Sequence, residues 1–243
     1  MSRTIHHPEG GLLISQVERW APIGGIVFVV LMVVGSIFVG DLPDADASEQ
    51  EIADYLADSD NHTRNIVGAY LWVLGALMFL WFLIRLRSDL RRAEGGTGAL
   101  SNLAFGAGVA FTAVWMASAA AFASVAYAVA LRDAPVADPD LVRVLPPMGR
   151  LMLLWAGFAG LLLLLAAAAV ILRTGVLPRW LAWLAVIAAI ALLFDLIYGT
   201  IFPFWTWVLI ASIVMLVRRE EAATTAHGDR LRAGDAAQRP TGD

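Results

Sequence analysis

The sequence predicts an all-α fold: a polytopic transmembrane bundle of six helices, with a short helix in its first external loop. Three observations predict it. Of 243 residues, 59% are hydrophobic and 16% are charged, whereas soluble domains carry about 25% charged residues. The apolar residues come in long blocks. The arginines favour one set of alternate connecting segments.

The blocks give the helices. Trp20–Gly40 contains no ionisable side chain, and Asn65–Ile84, Leu100–Leu131, Leu151–Leu172, Trp180–Phe194 and Pro203–Val217 follow it. A hydrocarbon core of about 30 Å needs about 20 mostly apolar residues as a helix. Four blocks meet that length and two fall short. The expected spans are 20–40, 65–85, 100–131, 150–173, 179–197 and 202–218, within a transmembrane domain 17–219. The first block is longer than the roughly 7–15 apolar residues of a signal peptide, so it reads as a retained anchor. Residues 1–16 and 220–243 are polar tails, and the second has the composition of a disordered segment.

Orientation follows from the basic residues. All 17 are arginine, since the chain has no lysine. Arg64, Arg132, Arg143 and Arg150 fall on one set of segments, which leaves 13 on the set containing both termini. Cytoplasmic segments are enriched in basic residues, so both termini are expected in the cytoplasm. The composition also suggests a GC-rich bacterial genome, and hence the bacterial inner membrane.

The first external loop is then "GDLPDADASEQEIADYLADSD", Gly40–Asp60, with eight carboxylates and no basic residue. Ser48 and Glu51 have the spacing of a capping box, in which each side chain satisfies a free backbone N–H of the helix start. Ile52, Tyr55 and Leu56 fall at i, i+3 and i+4 behind it. A helix over about Glu49–Ser59 is expected, its stripe turned toward lipid or the other helices. The charge itself reads as a solvated face.

Beyond the second span, "RLRSDLRRAEGGTG" continues the helix as a basic turn at the lipid headgroups and stops at Gly95, Gly96 and Gly98. An anionic-lipid site is the sharper reading of that turn. The third span carries Gly106, Ala110, Ala113, Ala117, Ala121 and Ser124 near one stripe. Small residues let helix backbones approach, which predicts that this stripe packs at the centre of the bundle. Gly175 and Pro178 make a short turn between the fourth and fifth spans, so these are antiparallel neighbours. Trp180, Trp183, Trp205 and Trp207 are expected at the membrane interfaces.

Several chemistries lack their residues. Without cysteine there are no disulfides, thiolate metal sites or cysteine nucleophiles. His6, His7, His62 and His227 all fall outside the apolar blocks, which argues against paired-histidine haem and against a serine–histidine protease at membrane depth. No H-E-x-x-H or Walker-type phosphate loop occurs. Asp58 and His62 are four apart, but two ligands are too few for a metal site. Proline is missing from the mid-membrane segments, and the midplane reads as dry. No cofactor and no catalytic residue is expected.

One acid lies inside an apolar hairpin. Asp195 is sixteen residues beyond Arg179, about 24 Å along a helix, near the outer edge of the core. A carboxylate there needs a cation or several donors. Arg150 is the first candidate partner and Arg64 the second, with Tyr198 one turn away as a donor. These four residues form the predicted outer polar cluster. It reads either as an ion pair fixing the hairpin or as a recessed outer site for a small ligand or headgroup.

The acidic external loop, "YLWVLGALMFLWFLIRLRSDLRRAEGG", the Gly/Ala-rich third span and "GVLPRWLAWLAVIAAI" together resemble an uncharacterised family of bacterial six-helix integral membrane proteins, a domain of unknown function. The resemblance covers most of residues 15–219. It implies the six-span topology and brings no activity, cofactor or site residue with it. The expected function is therefore a non-enzymatic accessory or interaction component of the inner membrane. The rival is a small-solute permease or channel subunit. The expected partners are the lipid bilayer and a membrane protein or a second copy of the chain, with no nucleic acid.

Overall fold

The computed structural model describes residues 9–40, 42–43, 46–132, 139–194 and 201–218, with side chains described for 22–40, 42–43, 46–130, 143–194 and 201–218. These residues form seven α-helices and, among the described residues, no strand: α1 (Glu9–Val39), α2 (Glu49–Ala57), α3 (Ser59–Glu94), α4 (Ala99–Arg132), α5 (Pro139–Thr174), α6 (Arg179–Leu193) and α7 (Phe202–Arg218). Four contain stretches long and apolar enough to cross a membrane: Pro22–Val39, Ser59–Glu94, Ala99–Ala130 and Arg143–Thr174. At 15 residues α6 is about 22 Å long, shorter than a hydrocarbon core, and α7 is likewise short.

The helices outrun their apolar blocks because caps, not polarity, end a helix. α3 starts at Ser59 instead of residue 65 because Asp58 caps it, its carboxylate accepting from the backbone N–H of Asp60 and Asn61 at 3.0 and 3.2 Å. α5 starts at Pro139, a residue well suited to a first helical position. Pro146 and Pro147 therefore lie inside α5, within a candidate span. They fall outside the expected span 150–173, whose middle is free of proline as expected. Proline has no N–H, so these two leave carbonyls of the first turns without their usual donors.

At the arginine-rich end, Glu94 closes α3 onto α4. Its carboxylate accepts from the backbone N–H of Leu100 and Ser101 at 3.0 and 2.9 Å, and from the Ser101 hydroxyl at 2.5 Å. Gly95, with φ +65°, stops α3 in a conformation that L side chains disfavour. Leu86 and Leu90 are buried, so the apolar face of the basic turn packs into the bundle. Arg87 covers the Phe105 ring at 4.9 Å.

α3 packs against α1 and α4, and α5 lies between α4 and α6. Small residues bring α1 and α3 into backbone contact: a Cβ on Gly68 would meet the Val39 nitrogen at 2.6 Å and the Gly35 oxygen at 2.7 Å. Phe79 sits at the centre, with ring centroids of Phe28, Phe111 and Phe204 at 4.8, 5.4 and 5.7 Å. α7 thus enters the same core, and its Trp207 indole donates to the Leu181 carbonyl of α6 at 3.0 Å. Between membrane helices such packing and hydrogen bonding take the place of hydrophobic burial from water.

Two packing expectations are corrected. On α4, Gly106, Ala110, Ala113 and Ala117 are exposed, and a Cβ on Gly106 would meet nothing within 4 Å. The buried face is Ala104, Ala107, Phe111, Trp115, Ala119 and Phe122. It won because rings fill the gap between α3 and α5, which methyl groups cannot. Trp205 and Trp207 are core residues, whereas Trp180 and Trp183 are exposed. The α5–α6 turn is as expected: Gly175 has φ +67° and donates to the Ile171 carbonyl at 2.9 Å.

Candidate functional site

The site lies beneath α2. The Ser48–Glu51 capping box forms in both directions, and the Glu51 carboxyl is held below its usual range by hydrogen bonds from the Ser48 backbone and hydroxyl. Asp58 ends α2 and starts α3 within one residue, which turns α2 across the end of the bundle. The apolar face of α2 then packs down: Ile52 and Tyr55 are buried with Val125 of α4, and Leu42, Leu56 and Leu145 surround them.

Under this lid the inward seam of α3 changes character. Ala69, Trp72, Ala76, Phe79, Leu83, Leu86 and Leu90 are buried at alternating spacings of three and four. Two turns nearer α2, the same seam carries Asn65 and His62, which are 1% and 2% exposed. The Tyr55 ring meets the His62 ring edge-on at 5.5 Å between centroids. The Tyr55 hydroxyl, His62 Nε2 and both amide atoms of Asn65 are buried and have no hydrogen-bond partner among the described residues. Deeper along the seam, the indole N–H groups of Trp115 and Trp205 are also unpaired, with their rings 6.1 Å apart. Trp72 meets Trp115 and Phe122 edge-on, each at 5.7 Å, while its N–H donates to the Met32 carbonyl at 3.3 Å.

Unpaired buried polar atoms are expensive, at about 1–3 kcal/mol each. Here four of them converge on three neighbouring side chains. Burial pushes the Tyr55 phenol up to about 12, so near neutral pH it holds its proton and acts as a donor, not as a base. Asn65 offers both a donor and an acceptor, and His62 Nε2 is either, according to tautomer. The nearby Asp58 carboxylate is occupied by the backbone N–H groups of Asp60 and Asn61 that it caps and by the Asn61 side-chain amide. Arg64 is exposed, with Nη2 3.5 Å from the Ile37 carbonyl. Among the described residues no three His, Asp or Glu side chains group as metal ligands. An acidic open depression of about 660 Å³, lined by Asp46, Glu51, Asp54, Asp58 and Tyr55, lies outside, and Tyr55 stands between it and the cluster.

Of the predicted outer cluster, Asp195 and Tyr198 lie outside the described residues. Arg150 is exposed on α5, beside Gly149, whose carbonyl accepts from the Ser118 hydroxyl at 2.9 Å. Ser118 lies between Trp115 and Phe122, which both touch Trp72. That puts Arg150 near the level of Trp72, eight residues or about 12 Å along α3 from Arg64. Sequence reasoning left His62 outside the membrane helices and read Asn65 as the start of one. The missed signal is the three-four spacing of the seam, which reaches both residues when extended from Trp72. No protein-family model, no curated protein and no solved structure matches this chain significantly.

Proposed function

We propose that this chain is a six-span protein of the bacterial inner membrane, with both termini in the cytoplasm. In this reading it binds a small uncharged polar solute beneath α2, from the external side, without transforming it. The arginine distribution supports the orientation, and α6 and α7 complete the even number of crossings as a shallow pair. The observation that carries the function is the set of unpaired buried groups on Tyr55, His62 and Asn65. The groups suit an amide or alcohol, which donates and accepts at once. An ion would find no counter-charge among them. The cluster favours solute handling over a purely accessory role. The accessory or homo-oligomeric reading is the alternative, and the exposed small residues of α4 would be its packing face.

The experiment is thermal unfolding of the purified chain in lipid nanodiscs. Asn65→Leu keeps the branched heavy-atom skeleton and removes two unpaired polar atoms, so it should stabilise the protein by about 1 kcal/mol. Acetamide should raise the wild-type Tm, and acetate and guanidinium at equal concentration should not. Asn65→Leu should abolish the acetamide shift. Destabilisation by Asn65→Leu, or equal shifts with the two ions, would sink the reading.

A further inference from the structure

At the arginine-rich end, remote from the polar cluster, α3, α7 and the α5–α6 turn enclose a depression of about 490 Å³. Arg85, Arg92 and Arg218 line it together with Asp89. Asp89 accepts from Arg85 Nε at 3.0 Å, and Arg92 Nη1 lies 3.9 Å from its other oxygen. The Arg85 and Asp89 side chains are only 17% and 16% exposed, whereas Arg92 is 62% exposed. Arg218 donates from Nη1 to the Val176 carbonyl, which ties α7 to the α5–α6 turn and fixes the third guanidinium. Among the described residues, three guanidiniums against one carboxylate give the lining a formal charge of +2. Its floor is apolar: Leu177 and Met215 are both buried.

We infer that this depression binds the phosphodiester headgroup of an anionic phospholipid. Guanidinium groups match phosphate oxygens in geometry and charge. Asp89 holds Arg85 and Arg92 in place and leaves a net positive charge for the ligand. The depression opens where the long apolar helix α3 ends, at the level of lipid headgroups. The Leu177 and Met215 floor suits the glycerol and first methylenes of a lipid, and it gives nothing to free phosphate. Basic pockets between membrane helices hold anionic headgroups in this way. The inference requires a membrane-embedded chain and is independent of the solute site.

The test is lipid retention by the full chain, extracted from vesicles of equal phosphatidylglycerol and phosphatidylcholine and read by native mass spectrometry. The wild type should retain phosphatidylglycerol preferentially. Arg92→Gln should reduce that preference by about fivefold, and Arg92→Gln with Arg218→Gln should reduce it further. Asp89→Asn, which removes the internal counter-charge, should increase it. Millimolar inorganic phosphate should leave the bound lipid in place. Equal retention of both lipids by the wild type, or an unchanged preference in the double variant, would overturn the inference. Displacement of the lipid by inorganic phosphate would overturn it in favour of a free-phosphate site.

Discussion

Tyr55 stands between water and the polar cluster, and its protonation reports whether α2 is seated. Burial raises its phenol from the usual 10 to about 12. An undocked α2 loses that proton near 10, while a docked one keeps it. Between these values the docked state binds the extra proton, so docking is fully stable below about 10 and weakens as pH rises toward 12. Alkaline titration followed by tyrosinate absorbance should show a component near 12 that is missing in Tyr55→Phe. Survival of that component in the variant would mean that Tyr55 is not the buried phenol. This role was partly legible in advance: the stripe of Ile52, Tyr55 and Leu56 turned Tyr55 toward lipid or the other helices, without deciding between them. His62 and Asn65 were hidden because polar residues at the end of an apolar block look like the edge of a helix. Only a packed lid makes them interior, and residue type does not announce a lid.

Among the elements, α2 was readable nearly residue by residue, because a capping box and a three-four stripe are local features. The packing of α4 was not. In lipid, alanine and glycine suit a helix interface and a lipid-facing surface equally, so their stripe does not say which way it points. The aromatic face of Phe111, Trp115 and Phe122 decides it, through rings supplied by α3 and α7. The α1–α3 contact is where small size is required. Gly68→Ala would drive a methyl into the backbone of Val39 and Gly35, and should destabilise the protein by about 1–3 kcal/mol. Gly106→Ala meets nothing, and should be neutral or add up to about 1 kcal/mol from helix propensity. Thermal unfolding of the two variants in nanodiscs checks the contrast. Equal effects would refute the close approach of α1 and α3.

The whole molecule is a helical bundle with four candidate membrane spans and α2 laid over a buried, uncharged polar cluster. The four long spans were legible from hydropathy, because block length against bilayer thickness is a global property. The ends of the helices were not, because charged side chains at the interface do not stop a helix and caps do. The absence of cysteine makes the alkylation pattern of single-cysteine variants the most direct measurement. Ser48→Cys, on the lid, should react with a bulky membrane-impermeant maleimide in intact cells. Ser88→Cys, at the far end of α3, should react only after lysis. Asn65→Cys should resist the maleimide from both sides, yet be alkylated by iodoacetamide, which is small, uncharged and carries an amide, and acetamide should slow that reaction. Resistance of Asn65→Cys to iodoacetamide, or inverted sidedness of Ser48→Cys and Ser88→Cys, would contradict the account.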